Sequence, residues 1–289
     1  MSIAIDMISA TKTHRVGSET IHALNHVSAS IREGEFVVVM GPSGSGKSTF
    51  LNLLGGLDVP DSGQILIDGE DIAAQSVAQR ALMRRRRIGY VFQDYNLIPT
   101  LTLAENVSLP LELDGMKERE ARSLARTALA ELGIESMDKR FPSEVSRGQA
   151  QRAAIARALI GENRILLADE PTGALDSNLS EDVMRLLRHR VDMGSTVVLV
   201  THEPRFAGWA DRVIYLRDGM IDKTKTRMAT ASHDMSFDAP ARHSVSGVTG
   251  ISGGEADTGT AASARDVQAD QARSMNDDQR NGDEGGEQE

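Results

Sequence analysis

Cysteine is absent from all 289 residues, so no disulfide framework is available, which fits a reducing cytosol. Long hydrophobic runs are absent as well. The longest, such as Phe36 to Met40, fall far short of the ~20 residues that span a bilayer and read as buried strands. The opening MSIAIDMISATKTH has neither a basic start nor an extended apolar stretch, so it does not read as a secretory signal. Excess positive charge is missing too. The 32 Lys and Arg face 42 Asp and Glu, a balance of −10, which argues against nucleic-acid binding through a broad basic face. That charge is unevenly placed. Residues 231–289 hold 12 acidic and four basic side chains, a net of −8, so the first 230 carry 28 basic and 30 acidic groups, a net of only −2. These absences leave a near-neutral, soluble intracellular domain, long enough for a sizeable core, and an acidic appendage.

After roughly Arg227 the text turns to Ser, Ala, Asp, Gly and Gln with scattered apolar residues, ending in NDDQRNGDEGGEQE. Such a composition cannot bury enough apolar surface to offset chain entropy, so residues 229–289 are expected to be a disordered acidic tail. Its deletion from residue 231 onward is expected to leave basal activity largely intact. Ahead of it, short apolar runs alternate with helical patterns. Glu35 to Met40, Arg164 to Ala168, Thr196 to Val200 and Arg212 to Leu216 suit strands covered on both faces. In Lys117 to Leu132 the residues Ala121, Leu124, Ala125, Ala128, Leu129 and Leu132 mark one helical face, with Gly133 as C-cap. Gln149 to Ile160 reads as a second helix, and Leu179, Val183, Leu186 and Leu187 mark a third. The alternation indicates an α/β domain with a largely parallel sheet. Ala73 to Pro142 looks mostly helical and inserted between the early and late strands.

Gly41-Pro42-Ser43-Gly44-Ser45-Gly46-Lys47-Ser48-Thr49 fits G-x-x-x-x-G-K-[ST] without a mismatch, after a buried strand and before a helix. Glycines let such a backbone curl so that successive N–H groups face phosphate oxygens, and the helix start adds favourable partial charge. Lys47 is expected to reach the β- and γ-phosphates and the Ser48 hydroxyl to bind Mg²⁺. The motif implies a nucleoside triphosphate but no particular reaction. Further on, Arg164-Ile165-Leu166-Leu167-Ala168-Asp169-Glu170 is an apolar strand ending in two carboxylates. Asp169 is placed to hold Mg²⁺, and Glu170 to polarise an attacking water as general base.

Between them Val145-Ser146-Arg147-Gly148-Gln149 runs into Ala150-Gln151-Arg152-Ala153-Ala154-Ile155-Ala156-Arg157-Ala158-Leu159. Here the chain resembles the ATP-binding subunits of ABC transporters, whose signature reads LSGGQ followed by QQRVAIARAL. Ser146 follows Lys47 by 99 residues, Asp169 follows Ser146 by 23, and His202 follows Glu170 by 32, as in that family. The resemblance spans residues 3 to 222. Leu51-Asn52-Leu53-Leu54-Gly55-Gly56-Leu57-Asp58, Asn96 to Thr102, Glu105-Asn106-Val107 and Ala168 to Ser177 resemble the macrolide-exporter and lipoprotein-releasing class within it.

The resemblance implies an α/β P-loop NTPase of ABC type over residues 1–228. It would have a mostly parallel sheet core, an antiparallel N-terminal β part and a helical, signature-bearing subdomain inserted at about 73–160. Residue by residue, it implies that Gln93 contacts Mg²⁺ and water and senses a membrane partner. Ala174-Leu175-Asp176 would cross a dimer interface, and His202 would contact the γ-phosphate. Ser146, Gly148 and Gln149 would grip ATP held by the other subunit. Two positions depart from the family pattern. Val145 and Arg147 replace the signature's leucine and first glycine, so a long cation either alters close approach or adds charge near the phosphate. His14 stands where the family places an aromatic under the adenine. With 3% aromatic residues there is no nearby substitute, and base selectivity is expected to relax.

The implied activity is ATP hydrolysis by a homodimer closing around two ATP molecules. The implied partner is an integral-membrane permease with a large extracytoplasmic domain, met at the cytoplasmic face of the cell membrane. Export, or extraction of lipid, lipoprotein or peptide, is the expected work; transmembrane signalling through a non-transporting partner is the alternative. A DNA-repair ATPase needs a long insertion that the 99-residue gap has no room for, and no nucleic-acid partner is expected. The run Arg84-Arg85-Arg86-Arg87 lacks interleaved aromatics and reads as a solvated face, or as a contact for the membrane partner.

Overall fold

The structure is a computed structural model that describes residues 2–228; the expected acidic tail lies outside the described residues. In chain order the strands are β1 (Ile3–Val16), β2 (Glu19–Arg32), β3 (Phe36–Met40), β4 (Ser62–Ile67), β5 (Glu70–Asp71), β6 (Ile88–Val91), β7 (Ile165–Asp169), β8 (Thr196–Val200), β9 (Arg212–Arg217), β10 (Met220–Ile221) and β11 (Arg227–Met228). The helices are α1 (Lys47–Leu54), α2 (Val77–Arg87), α3 (Leu103–Leu113), α4 (Glu118–Glu131), α5 (Arg147–Leu159) and α6 (Ser177–Asp192).

Two sheets result. The first is antiparallel, in the order β2-β1-β4-β5. The second has the order β10-β9-β3-β8-β7-β6, with β11 also on β9. Its five strands from β9 to β6 run parallel, while β10 and β11 pair antiparallel to β9. Alternation along each central strand divides the core. Val37, Val39, Ile165, Leu167, Val198 and Val200 face a layer shared with α1 and the antiparallel sheet. Phe36, Val38, Leu166, Ala168, Val197 and Leu199 face the opposite layer, with α5 and α6. Burial on both faces is why these strands read as unbroken apolar runs, each large side chain contributing about 1.5–3 kcal/mol.

Arg212 joins the two sheets. Its Nε donates to Glu35 Oε1 at 2.8 Å and its Nη2 to Ser30 O at 2.6 Å, while Glu35 Oε2 accepts from the Arg32 N–H. A third core lies among α3, α4 and α5, built from Leu103, Val107, Ala125, Leu129, Ala153 and Ile160. The helical stretch is interrupted by β6, which pairs parallel with β7 and completes the core sheet. Four residues, Ile-Gly-Tyr-Val, are too few to show a period against the helical text around them. The arginine run closes α2 and is tied down internally. Arg84 donates to Gly56 O, Arg85 and Arg86 pair with Asp114, and Arg87 pairs with Asp68 and Glu70. No helix among the described residues is long and apolar enough to cross a membrane.

Candidate active site

The chemistry-bearing residues gather at the C-terminal ends of the parallel strands, where such sheets bind ligands. β3 ends at Met40 and leads into the Gly41–Ser45 loop and α1. Close packing shapes that loop. A Cβ on Gly46 would lie 2.2 Å from Ala23 O in β2, and Gly46 adopts φ 99°, so only glycine fits there. Ser43, Gly44 and Gly46 have no acceptor for their N–H groups among the described residues. These free donors immediately precede α1, whose N-terminus has no side-chain cap. Such an arrangement suits a phosphate. Lys47 turns back and donates from Nζ to Gly41 O and Pro42 O, both at 2.9 Å, so its charge is parked on the loop's own carbonyls. Ser45 Oγ is buried without a hydrogen bond.

β7 delivers Asp169 and Glu170. Asp169 is buried, and its Oδ1 has no partner. Burial pushes its carboxyl above the usual range; a hydrogen bond from Ser48 opposes the shift, and the Glu170 charge adds to it. A half-satisfied carboxylate beside a serine hydroxyl is an oxygen-rich site suited to a hard divalent cation. Glu170 has a left-handed backbone, φ 48°, costing about 1–2 kcal/mol for a residue with a β-carbon. The two residues that follow neighbouring β8 answer it. Thr201 Oγ1 donates to Glu170 Oε2 at 3.2 Å, and His202 Nδ1 lies 2.8 Å from Glu170 Oε1. The hydrogen bond to Glu170 is the main reason that the His202 imidazole is raised above its ordinary 6.5, aided by the charges of Glu170 and Glu203.

Gln93 follows β6; it is exposed and makes no side-chain hydrogen bond among the described residues. His14 lies in β1 with its Nε2 3.5 Å from Thr49 Oγ1, beside the loop's helix. The remaining positions lie at helix starts. Ser146 is the N-cap of α5: the Gln149 N–H donates to its Oγ at 3.3 Å, and its own N–H donates to Gln149 Oε1 at 2.9 Å. Asp176 caps α6 by accepting from the Leu179 N–H at 3.0 Å. Gly148 faces the loop before α6, its Cβ direction 3.3 Å from Ala174 O. Arg147 is exposed, with no partner among the described residues. Thr201 and the capping roles of Ser146 and Asp176 escaped the sequence reading. For Ser146 a signal was present, Ser-x-x-Gln ahead of an apolar run; for Asp176 it was only an Asp ahead of the α6 pattern. For Thr201 there was none beyond its place at a strand end. A cavity of about 640 Å³ lies at the other ends of β7 and β8, lined by Ile165 and Thr196, and contains none of these groups.

Residues 24–173 match the family model described as ABC transporter. The chain is 49% identical over 221 residues to the macrolide export ATP-binding/permease protein MacB of Brucella melitensis, covering 76% of this chain and 34% of that one. It therefore spans about a third of that relative's length. It is 45% identical over 224 residues to the ABC transporter ATP-binding protein MJ0796 of Methanocaldococcus jannaschii, covering 76% of this chain and 95% of that one. A solved dimer of the MJ0796 ATP-binding cassette in a post-hydrolysis state with ADP and Pi superposes with TM-score 0.75 at 43% identity, covering 78% of this chain and 98% of that one. With its phosphate loop, paired carboxylates and signature helix so arranged, the chain belongs to the ABC transporter family, as one of its ATP-hydrolysing cassettes.

Proposed function

We propose that two copies of this chain close around two ATP molecules, and that the cycle of closing and hydrolysis drives a separate membrane permease in export or extraction. The reading places the chain at the cytoplasmic face of the membrane, with the permease supplying any large extracytoplasmic domain. The observation that carries it is the cluster at the strand ends: free loop N–H groups, a Lys47 ammonium on exchangeable carbonyl contacts, and a buried carboxylate with an orphaned oxygen. The fusion of cassette and permease named in the MacB relatives, and the dimer of the MJ0796 cassette, support the wider assembly.

In this reading the loop amides take the β- and γ-phosphates, and Lys47 leaves Gly41 and Pro42 to join them. Ser48, Asp169 and Gln93 would hold Mg²⁺, which when bound neutralises charge on the phosphate oxygens. Glu170 accepts the proton of the attacking water. His202, released from Glu170, turns its ring to the γ-phosphate. Ser146, Gly148 and Gln149 contact ATP bound to the other copy, Asp176 lies at the junction between copies, and His14 flanks the base. The direct test is Glu170→Gln, which keeps shape and removes the base. ATP binding should persist while turnover falls by at least about 10²-fold. Undiminished phosphate release would end the assignment.

A further inference from the structure

The segment between β6 and α3 carries Gln93 but has almost no regular structure of its own. Two polar side chains hold it. Asn106, fully buried on α3, accepts from the Ile98 N–H at 2.7 Å and donates to Ile98 O, Leu101 O and Thr102 O, each at 3.0 Å. Nearer to Gln93 the holder is Arg157 of α5. Its Nη1 donates to Asn96 O at 2.6 Å and its Nη2 to Tyr95 O at 2.8 Å. Both acceptor residues are left-handed, with φ of 62° at Tyr95 and 49° at Asn96. A tyrosine adopts that conformation only where its surroundings impose it.

Arg157 is half-buried, and its guanidinium is pushed below its ordinary pKa by burial alone. It forms no ion pair among the described residues, so these two carbonyls are what compensate its charge. A planar fork sets two N–H groups on the two carbonyls in one fixed geometry, which a lysine's single, freely turning ammonium does not impose. Arg157 also shares a helix with Ser146, about 16 Å away at 1.5 Å per residue. Close packing seats that helix on β6: a Cβ on Gly89 would lie 1.9 Å from Ala158 O. One rigid rod thus carries the signature serine at one end and grips the Gln93 segment at the other. Gln93, two residues before the grip, stays free to turn.

We propose that Arg157 is a positioning residue for ATP hydrolysis, fastening the Gln93 segment to the signature-bearing helix so that displacement at Ser146 is delivered to Gln93. The proposal rests on the reading of Gln93 given above. A double-mutant cycle on the full chain tests it, with Arg157→Lys, Gln93→Ala and the pair. Each single change is expected to lower kcat at least about tenfold, with KM for ATP within about twofold, since small misplacements reach kcat strongly. The pair should be little worse than either alone. Multiplying losses, or an unchanged kcat in Arg157→Lys, would overturn the coupling alone. An unchanged kcat in Gln93→Ala would remove the reading of Gln93 and the coupling with it. If Arg157→Lys does not fold, amide hydrogen exchange on Glu170→Gln with and without ATP decides. Residues 93–96 and 146–150 should gain protection together, and a change confined to 146–150 would overturn the proposal.

Discussion

Glu170 brings together backbone strain, a threonine hydroxyl and an imidazole within one side chain's reach. A carboxylate held this way is already engaged in the nucleotide-free chain, and freeing it for the proposed role as base requires His202 to turn elsewhere. The pairing has a pH signature. Because the hydrogen bond that its ring donates to Glu170 raises the His202 imidazole above 6.5, its contribution to the folded state is complete below pH 6.5. That contribution is lost as the pH rises through the raised folded value. Histidine NMR should therefore place the His202 midpoint above 6.5 in the nucleotide-free protein and return it toward 6.5 in Glu170→Gln. A midpoint unmoved by that change would mean that the two side chains do not interact in solution. Ser146 and Asp176 show a related economy. Each completes a helix N-terminus now and is proposed to meet nucleotide or the second copy later.

Among the elements, one partly exposed cation bridges the two sheets beside their shared apolar layer. Glu35 is nearly buried, and Arg212 supplies two of its contacts. Removing Arg212 would strand that carboxylate, so Arg212→Ala should lower unfolding free energy by about 3 kcal/mol in denaturant titration. A loss within error would place the joint's strength elsewhere. Legibility also varied by element. β3, β7, β8 and β9 were readable within a residue because two-sided burial leaves contiguous apolar text. The end of α4 was readable from Gly133, which adopts φ 65°. β6 was not, being four residues inside a helical stretch. The hairpins at Asp68-Gly69 and Asp218-Gly219, with positive φ at all four residues, carried a usable signal, but each flanks a strand of only two residues. Loop, carboxylates and histidine were legible because each is a local pattern. Arg157 was not, because the carbonyls it holds lie 61 and 62 residues away. Local text cannot show such a contact.

For the whole molecule, the net negative charge belongs mostly to residues 231–289, and the last described strand, β11, ends before them. Because the composition of that segment cannot bury enough apolar surface to add a core of its own, a chain ending at residue 230 should keep basal ATP hydrolysis within about twofold. A collapse of activity would make that segment part of the engine. In the proposed cycle ATP draws two copies together. The measurement is the mass of Glu170→Gln by light scattering at matched concentration, with ATP and Mg²⁺ and then with ADP. The expected result is a dimer holding two ATP in the first case and a monomer in the second; a monomer in both would contradict the account.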